Sequence, residues 1–281
     1  MLLIARFTII ISVLLFKDEY LHAQDFIPDT VSVPSGNLTL KGLLWHPSGK
    51  GPLPTIIFSH GNYGGSDTIH DAVQQTSLLG PVFAKKGYMF LVLFRRGVGL
   101  SESQGSNSMI LMDKAFREQG QEGRNKVQLE QLQTVQLQDM KAGLTFLRKR
   151  IDVDTNHMGI IGHSFGGSLA LLVAERDPGL KAAVIFSGAG YSWDRSPELQ
   201  MRLISAVKNI NAPVMIIHAQ NDYSTNAGRV LDSVRTQLNE SHALKIYPKF
   251  GNSANDGHNL IFLSIKTWEK DVFKFLDENL Q

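Results

Sequence analysis

A serine flanked by glycines, Gly162-His163-Ser164-Phe165-Gly166 with Gly167 following, lies where the apolar run Met158-Ile161 gives way to a helical pattern beginning near Ser168. Strand, sharp turn and helix form the setting in which G-x-S-x-G lifts a serine hydroxyl clear of the backbone as a nucleophile. The glycines permit the close approaches and strained dihedrals that such a turn needs, and the helix N-terminus favours developing negative charge. A glycine-rich helix cap would give the same letters. A serine hydroxyl is a weak nucleophile at neutral pH, so a base must take its proton and a carboxylate must hold that base in the right tautomer. Asp222, in Gln220-Asn221-Asp222 after the apolar run Val214-His218, offers the carboxylate. His258, in Asn255-Asp256-Gly257-His258-Asn259, offers the base from a Gly- and Asn-rich loop. The competing readings are an Asp that merely makes a turn and a surface histidine.

Acyl transfer also needs donors aimed at an oxyanion. One is expected from the backbone N–H of Phe165, the residue after the nucleophile. The second is expected from Asn62, with Tyr63 as the alternative, in the bendable stretch His60-Gly61-Asn62-Tyr63-Gly64-Gly65. That stretch lacks the G-K-[ST] ending of a phosphate loop. Tyr63 and His163 are assigned to substrate binding, His163 as a packing or pocket residue rather than the base. His218 reads as a buried, hydrogen-bonded histidine unless Asp222 is its partner. The remaining histidines carry no pattern. With no H-E-x-x-H and no acidic or histidine cluster at ligand spacing, neither a metal nor any other cofactor is expected. The sequence contains no cysteine, which excludes disulfides, a thiol nucleophile and thiolate metal sites.

These residues need a rigid frame. Apolar runs alternating with helical patterns from about residue 30 imply a mostly parallel sheet. Thr30-Val33 and Leu38-Trp45 read as an antiparallel entry hairpin about Ser35-Gly36-Asn37. Thr55-Ser59, Met89-Phe94, Met158-Gly162, Ala182-Ser187, Val214-His218 and Ala243-Tyr247 follow as strands, mostly continuous apolar runs that suit cover on both faces. Helices are expected over Val127 to Lys149, with Leu132, Met140, Leu144 and Leu147 as one stripe, over Ser168 to Arg176, and over Ser264 to Asn279. Asp177-Pro178-Gly179 ends the second of these. Residues 101 to about 126 read as a long polar connection containing the apolar cluster Met109-Ile110-Leu111-Met112, either a cover over the active site or a surface insertion.

The 281 residues suffice for one large core, and 43% hydrophobic with 19% charged residues is ordinary globular composition. A net charge of +2 gives no general attraction to nucleic acid or anionic membranes. The basic runs Lys85-Lys86, Arg95-Arg96 and Arg148-Lys149-Arg150 read as solvated faces. Residues 1–23 read as a signal peptide: Arg6, an apolar core from Phe7 to Phe16 too short for a lasting anchor, and Leu21-His22-Ala23 as a cleavage point. Export, with a single domain over residues 24–281, is the resulting expectation; an uncleaved anchor or a packed helix is the alternative.

The chain resembles the α/β-hydrolase superfamily over about residues 30 to 280, and within it the dienelactone hydrolase-like group and its prolyl-oligopeptidase-type relatives. The resemblance rests on His60-Gly61-Asn62, Phe94-Arg95-Arg96-Gly97, Gly162 to Gly167, Ile217-His218 leading to Asn221-Asp222, and Gly257-His258. It implies an eight-stranded, mostly parallel sheet with helices on both faces. It also implies a triad of Ser164, Asp222 and His258, an oxyanion hole at Asn62 and Phe165, and a structural turn at Arg96-Gly97. One departure matters. True dienelactone hydrolases use a cysteine nucleophile, so their lactone substrate is not carried over. Ser187 to Ala212 is too short for a large cap, which leaves residues 101–126 to set specificity. The expected reaction is cleavage of a small-molecule carboxylic ester through an acyl-enzyme. Peptidase, thioesterase and acyltransferase chemistry would use the same residues, and a non-catalytic binding protein of this fold is the rival from another class.

Overall fold

The computed structural model describes residues 26–47, 49, 51–64 and 68–281. The expected signal segment lies outside the described residues. Eight strands form one sheet: β1 (Asp29–Ser35), β2 (Leu38–Trp45), β3 (Leu53–Ser59), β4 (Met89–Phe94), β5 (Val153–His163), β6 (Ala182–Phe186), β7 (Val214–Ala219) and β8 (His242–Tyr247). Their spatial order is β1-β2-β4-β3-β5-β6-β7-β8. The β1/β2 and β2/β4 pairs are antiparallel and every later pair is parallel. In β4 and β7 every residue is buried, as expected where helices cover both faces.

The described helices are α1 (Thr68–Ser77), α2 (Gly80–Lys85), α3 (Ser108–Gln133), α4 (Val135–Arg148), α5 (Phe165–Arg176), α6 (Pro197–Val207), α7 (Asn226–Gln237), α8 (Ala254–His258), α9 (Leu260–Leu263) and α10 (Ile265–Leu280). Two apolar clusters sandwich the sheet. One gathers Leu132, Met140, Leu144, Leu147, Leu172, Leu203 and Leu231 from α3 to α7. The other gathers Ala72, Phe83, Ile261, Trp268 and Leu276 from α1, α2, α9 and α10. Trp268 is fully buried, lies 6.3 Å from Phe83 and 5.1 Å from Phe186 between ring centroids, and donates from Nε1 to the Ile261 carbonyl at 3.1 Å.

Two expectations about helices need correction. The stretch at 101–126 is not mainly a loop: from Ser108 onward it is helical. Asn107 caps it, its Oδ1 accepting from the N–H groups of Met109 at 2.8 Å and Ile110 at 3.3 Å. The polar composition reflects a helix whose outer face meets solvent. Gly120, at φ 68° and ψ −157°, bends it. Nor is 127–149 one helix, because Thr134 adopts φ −118° and ψ −102° and separates α3 from α4. The stripe survives the break, since Leu132, Met140, Leu144 and Leu147 are all buried.

Parallel strands align their C-terminal ends at one edge, where ligands gather in open α/β sheets. Ser164 follows β5, Asp222 lies just beyond β7, and His258 ends the short helix that comes after β8. The frame beneath that edge is testable at its aromatic centre: Trp268→Ala is expected to lower unfolding free energy by about 3–5 kcal/mol, read from urea denaturation.

Candidate active site

Ser164 occupies left-handed backbone, at φ 57° and ψ −119°. The turn holds because the surroundings over-determine it. The Ser164 N–H donates to the Phe186 carbonyl on β6 at 2.9 Å, and the Ser164 carbonyl accepts from the N–H groups of Gly167 at 3.0 Å and Ser168 at 3.1 Å. A Cβ on Gly162 would stand 2.2 Å from the Gly166 carbonyl oxygen, and one on Gly166 would stand 2.0 Å from that of Ser59. Neither position admits a side chain. Strain of this kind costs about 1–3 kcal/mol and is characteristic of functional turns.

The exposed hydroxyl meets an imidazole. Ser164 Oγ lies 2.8 Å from His258 Nε2, and His258 Nδ1 lies 2.7 Å from Asp222 Oδ1. The three residues singled out for nucleophile, base and acid are therefore joined by two hydrogen bonds. Burial alone would raise the Asp222 pKa, but the hydrogen bonds from His218 and His258 hold it well below the usual carboxylate range. The acid is ionised at neutral pH. His258 does not sit in an irregular loop as expected; it ends α8, whose start is fixed by a capping box between Ser253 and Asp256.

Neither His163 nor Tyr63 lines the cleft, which corrects their assignment to substrate binding; for His163 the packing alternative holds. His163 is buried beneath the elbow, where its Nε2 donates to the His258 carbonyl at 2.9 Å and its ring meets Phe262 edge-on at 5.1 Å. Burial, and then the charge of His258, push its pKa down to about 3. It is a neutral strut that fixes the backbone of the neighbouring histidine, aided by Ser187 Oγ donating to the same carbonyl at 3.0 Å. The Tyr63 hydroxyl turns away to Gln75 Oε1 at 3.1 Å, and burial raises its pKa. Asn62 and Phe165 do face the cleft. Phe165 opens α5, so its N–H has no intrahelical acceptor. The Asn62 side chain is held by Ser108 Oγ, which donates to Oδ1 at 2.9 Å.

Beneath this loop the Arg95-Arg96 pair is not a solvated face. The Arg95 guanidinium is fully buried and donates to Gln136 Oε1 at 2.7 Å, Ser59 Oγ at 3.0 Å and the Gly61 carbonyl at 3.2 Å, while lying 5.5 Å over the Phe165 ring. Burial lowers its pKa to about 9, opposed by the charge of Asp139, so it remains cationic at neutral pH. Arg96 pairs with the wholly buried Asp139, Nε to Oδ2 at 2.9 Å and Nη2 to Oδ1 at 2.6 Å. Gly97 turns the chain at φ 73°, where an added Cβ would stand 2.3 Å from the Asn107 nitrogen. The structural turn expected at Arg96-Gly97 thus abuts the cap of α3.

The cleft above Ser164 measures about 400 Å³. One wall is α3, through Met109, Met112, Arg124 and Gln128; the other carries Tyr191, Ser192 and Tyr223. Among these the sequence signalled only the Met109–Met112 cluster, as an apolar interruption of a polar stretch. Arg124 is already bonded to Asp113. Among the described residues, no group of three or more acidic or histidine side chains could hold a metal ion, and no helix is long and apolar enough to cross a membrane.

Known proteins share parts of this arrangement. The chain is 26% identical over 163 residues to a Synechocystis sp. protein named "Putative carboxymethylenebutenolidase", the match taking in 57% of this chain and 58% of that relative, and so less than two thirds of its length. Its structure superposes on Pyrococcus horikoshii acylaminoacyl peptidase with a TM-score of 0.67 at 20% identity, covering 94% of this chain and 43% of that one. On a Pyrococcus furiosus esterase the TM-score is 0.65 at 16% identity, covering 91% of this chain and 94% of that one. These likenesses are of fold, and the fold is that of the α/β-hydrolases. Residues 40–259 match the dienelactone hydrolase family, and the chain belongs to that family.

Proposed function

We propose that this protein hydrolyses carboxylic esters through an acyl-enzyme formed on Ser164. The observation that carries the reading is the continuous hydrogen-bonded path from Ser164 Oγ through His258 to the ionised Asp222. As Ser164 Oγ bonds to the ester carbonyl carbon, its proton passes to His258 Nε2. The carbonyl oxygen, now an oxyanion, is met by the N–H groups of Phe165 and Asn62. Collapse of the tetrahedral intermediate breaks the bond to the alcohol, which leaves with the proton from His258 Nε2. Water then attacks the acyl-serine by the same route in reverse and releases the acid. Asp222 keeps its charge throughout and steadies the imidazolium.

A serine hydroxyl needs stronger activation than a thiol, and His258, held by the buried carboxylate of Asp222, supplies it. A relative named "Putative carboxymethylenebutenolidase" is compatible with a reading of ester hydrolysis. The cleft suits a compact substrate, with methionines on α3 for an apolar group and Gln128, Ser192 and Tyr223 for polar ones.

Ser164→Ala is expected to lower kcat by about a millionfold with the circular dichroism spectrum unchanged. A fluorophosphonate probe should label the parent at Ser164; a folded parent that resists it would favour a binding protein of the same fold. A small aryl ester should be turned over and a peptidyl amide left intact, and cleavage of the amide alone would overturn the ester assignment. Because His163 stays neutral down to about pH 3, the fall of kcat/KM toward acid pH should follow a single protonation, that of His258. Activity is lost as pH falls, since the imidazolium cannot accept the serine proton.

A further inference from the structure

Asp222 has a second imidazole. His218, the fifth residue of β7, places Nδ1 2.7 Å from Asp222 Oδ2, while Oδ1 accepts from His258 Nδ1 at 2.7 Å and from the Tyr223 N–H at 2.7 Å. The side chains of His218 and Asp222 are both fully buried. Space around the carboxylate is closed on a further side by Gly190, where an added Cβ would stand 2.8 Å from Oδ1 and 3.0 Å from Oδ2.

We infer that His218 is a positioning residue for the reaction, a neutral imidazole whose Nδ1–H pins the free oxygen of Asp222 and keeps the other oxygen turned toward His258. The inference rests on the proposed roles of Ser164, His258 and Asp222. The bonding pattern assigns the tautomer. An ionised carboxylate only accepts, so the nitrogen facing it carries the proton. The other nitrogen, Nε2, is buried with no partner among the described residues and is packed against α7, where a Cβ on Gly228 would lie 3.0 Å away. A cationic His218 would leave a second N–H there without an acceptor, which is costly in a dry interior.

The same packing shows which histidine is the base. His218 Nε2 faces Gly228 on α7, whereas His258 Nε2 faces Ser164 Oγ. His218 therefore acts only through the acid. A carboxylate bonded at one oxygen can rotate about its last torsion and present either oxygen to its histidine. Bonded at both, it has one orientation. The second donor also draws charge away from Oδ1, which moderates the attraction of Asp222 for a proton on His258. The other titratable groups facing His258 are His163, 5.1 Å away between ring centroids, and Tyr223, at 5.0 Å.

Two measurements test this. In the intact parent protein with ¹⁵N-labelled histidine, NMR should find His218 protonated at Nδ1 and bare at Nε2 across the pH range in which His258 titrates. A proton on Nε2, or titration together with His258, would overturn the inference. His218→Leu removes the donor, while His218→Asn returns an amide N–H close to the position of Nδ1. In His218→Leu, kcat should fall about tenfold to a hundredfold with KM changed less than about twofold, and the acid limb of kcat/KM should move up by about half a pH unit. In His218→Asn, most of kcat and the parent limb should return, an outcome that a space-filling role for the ring does not give. An unchanged kcat and acid limb in folded His218→Leu, beside an inactive Ser164→Ala, would sink the role of His218 alone. Activity retained by Ser164→Ala would sink the hydrolase reading with it. Should the Leu variant not fold, the tautomer in the parent and the Asn variant still decide.

Discussion

A carboxylate with no contact with solvent must be satisfied by donors from its own protein, and at Asp222 this requirement ties together the far half of the sheet. Its donors come from the end of β7, from the next residue in the chain, and from the short helix after β8. The last of these arrives only when the chain has run through β8, paired to β7 with His218 opposite Ile246, and returned to the end of β7. The acid is thus both a product of the completed sheet and a lock on it. Removing either imidazole would leave an ion buried with a lone pair unanswered, a more serious loss than the absence of one average hydrogen bond.

The near half of the site depends on a second buried charge. Among the described residues Arg95 has no carboxylate of its own within bonding reach; its donors go to Gln136, Ser59 and the Gly61 carbonyl. It thereby joins α4, the end of β3 and the loop that presents Asn62, and its flat face covers the ring of Phe165. His60 completes the mesh: its Nε2 accepts from the Arg95 N–H at 3.1 Å and its Nδ1 lies 2.6 Å from the Gly61 carbonyl. The two proposed oxyanion donors are therefore braced by one guanidinium, which also places positive charge behind them.

The sheet was legible in the sequence because its central strands, covered on both faces, read as nearly continuous apolar runs, and the turn at Ser35-Gly36-Asn37 marked the β1–β2 hairpin at its edge. The serine turn was legible because its constraint is local: glycine is needed at 162 and 166 whatever the rest of the chain does. What escaped was decided by tertiary packing. A polar segment gave no sign that α3 is a solvated helix, since only its inner face carries the apolar pattern and Gly120 interrupts the period. His163 and Tyr63 sit beside functional residues in sequence, yet the pleat of β5 and the path of the loop turn them away from the cleft. Arg95 follows a buried strand, and its neighbourhood outweighs its charge. The contact between His218 and Asp222 was left open, because nothing in a spacing of four residues across a strand end says which oxygen faces which ring.

The wall formed by α3 has a consequence for how this protein could diversify. Met109 and Met112 stand one turn apart on its inner face, as do Arg124 and Gln128, and the helix is hooked to the body at its start by Asn107, whose Nδ2 donates to the carbonyls of Tyr63 at 3.0 Å and Gly97 at 2.9 Å. The proposed reacting groups, on Ser164, Asp222 and His258, come from other segments altogether. A replaceable panel of this kind lets drift in a single continuous stretch of coding sequence reshape what enters, while the three residues proposed to break bonds are left untouched.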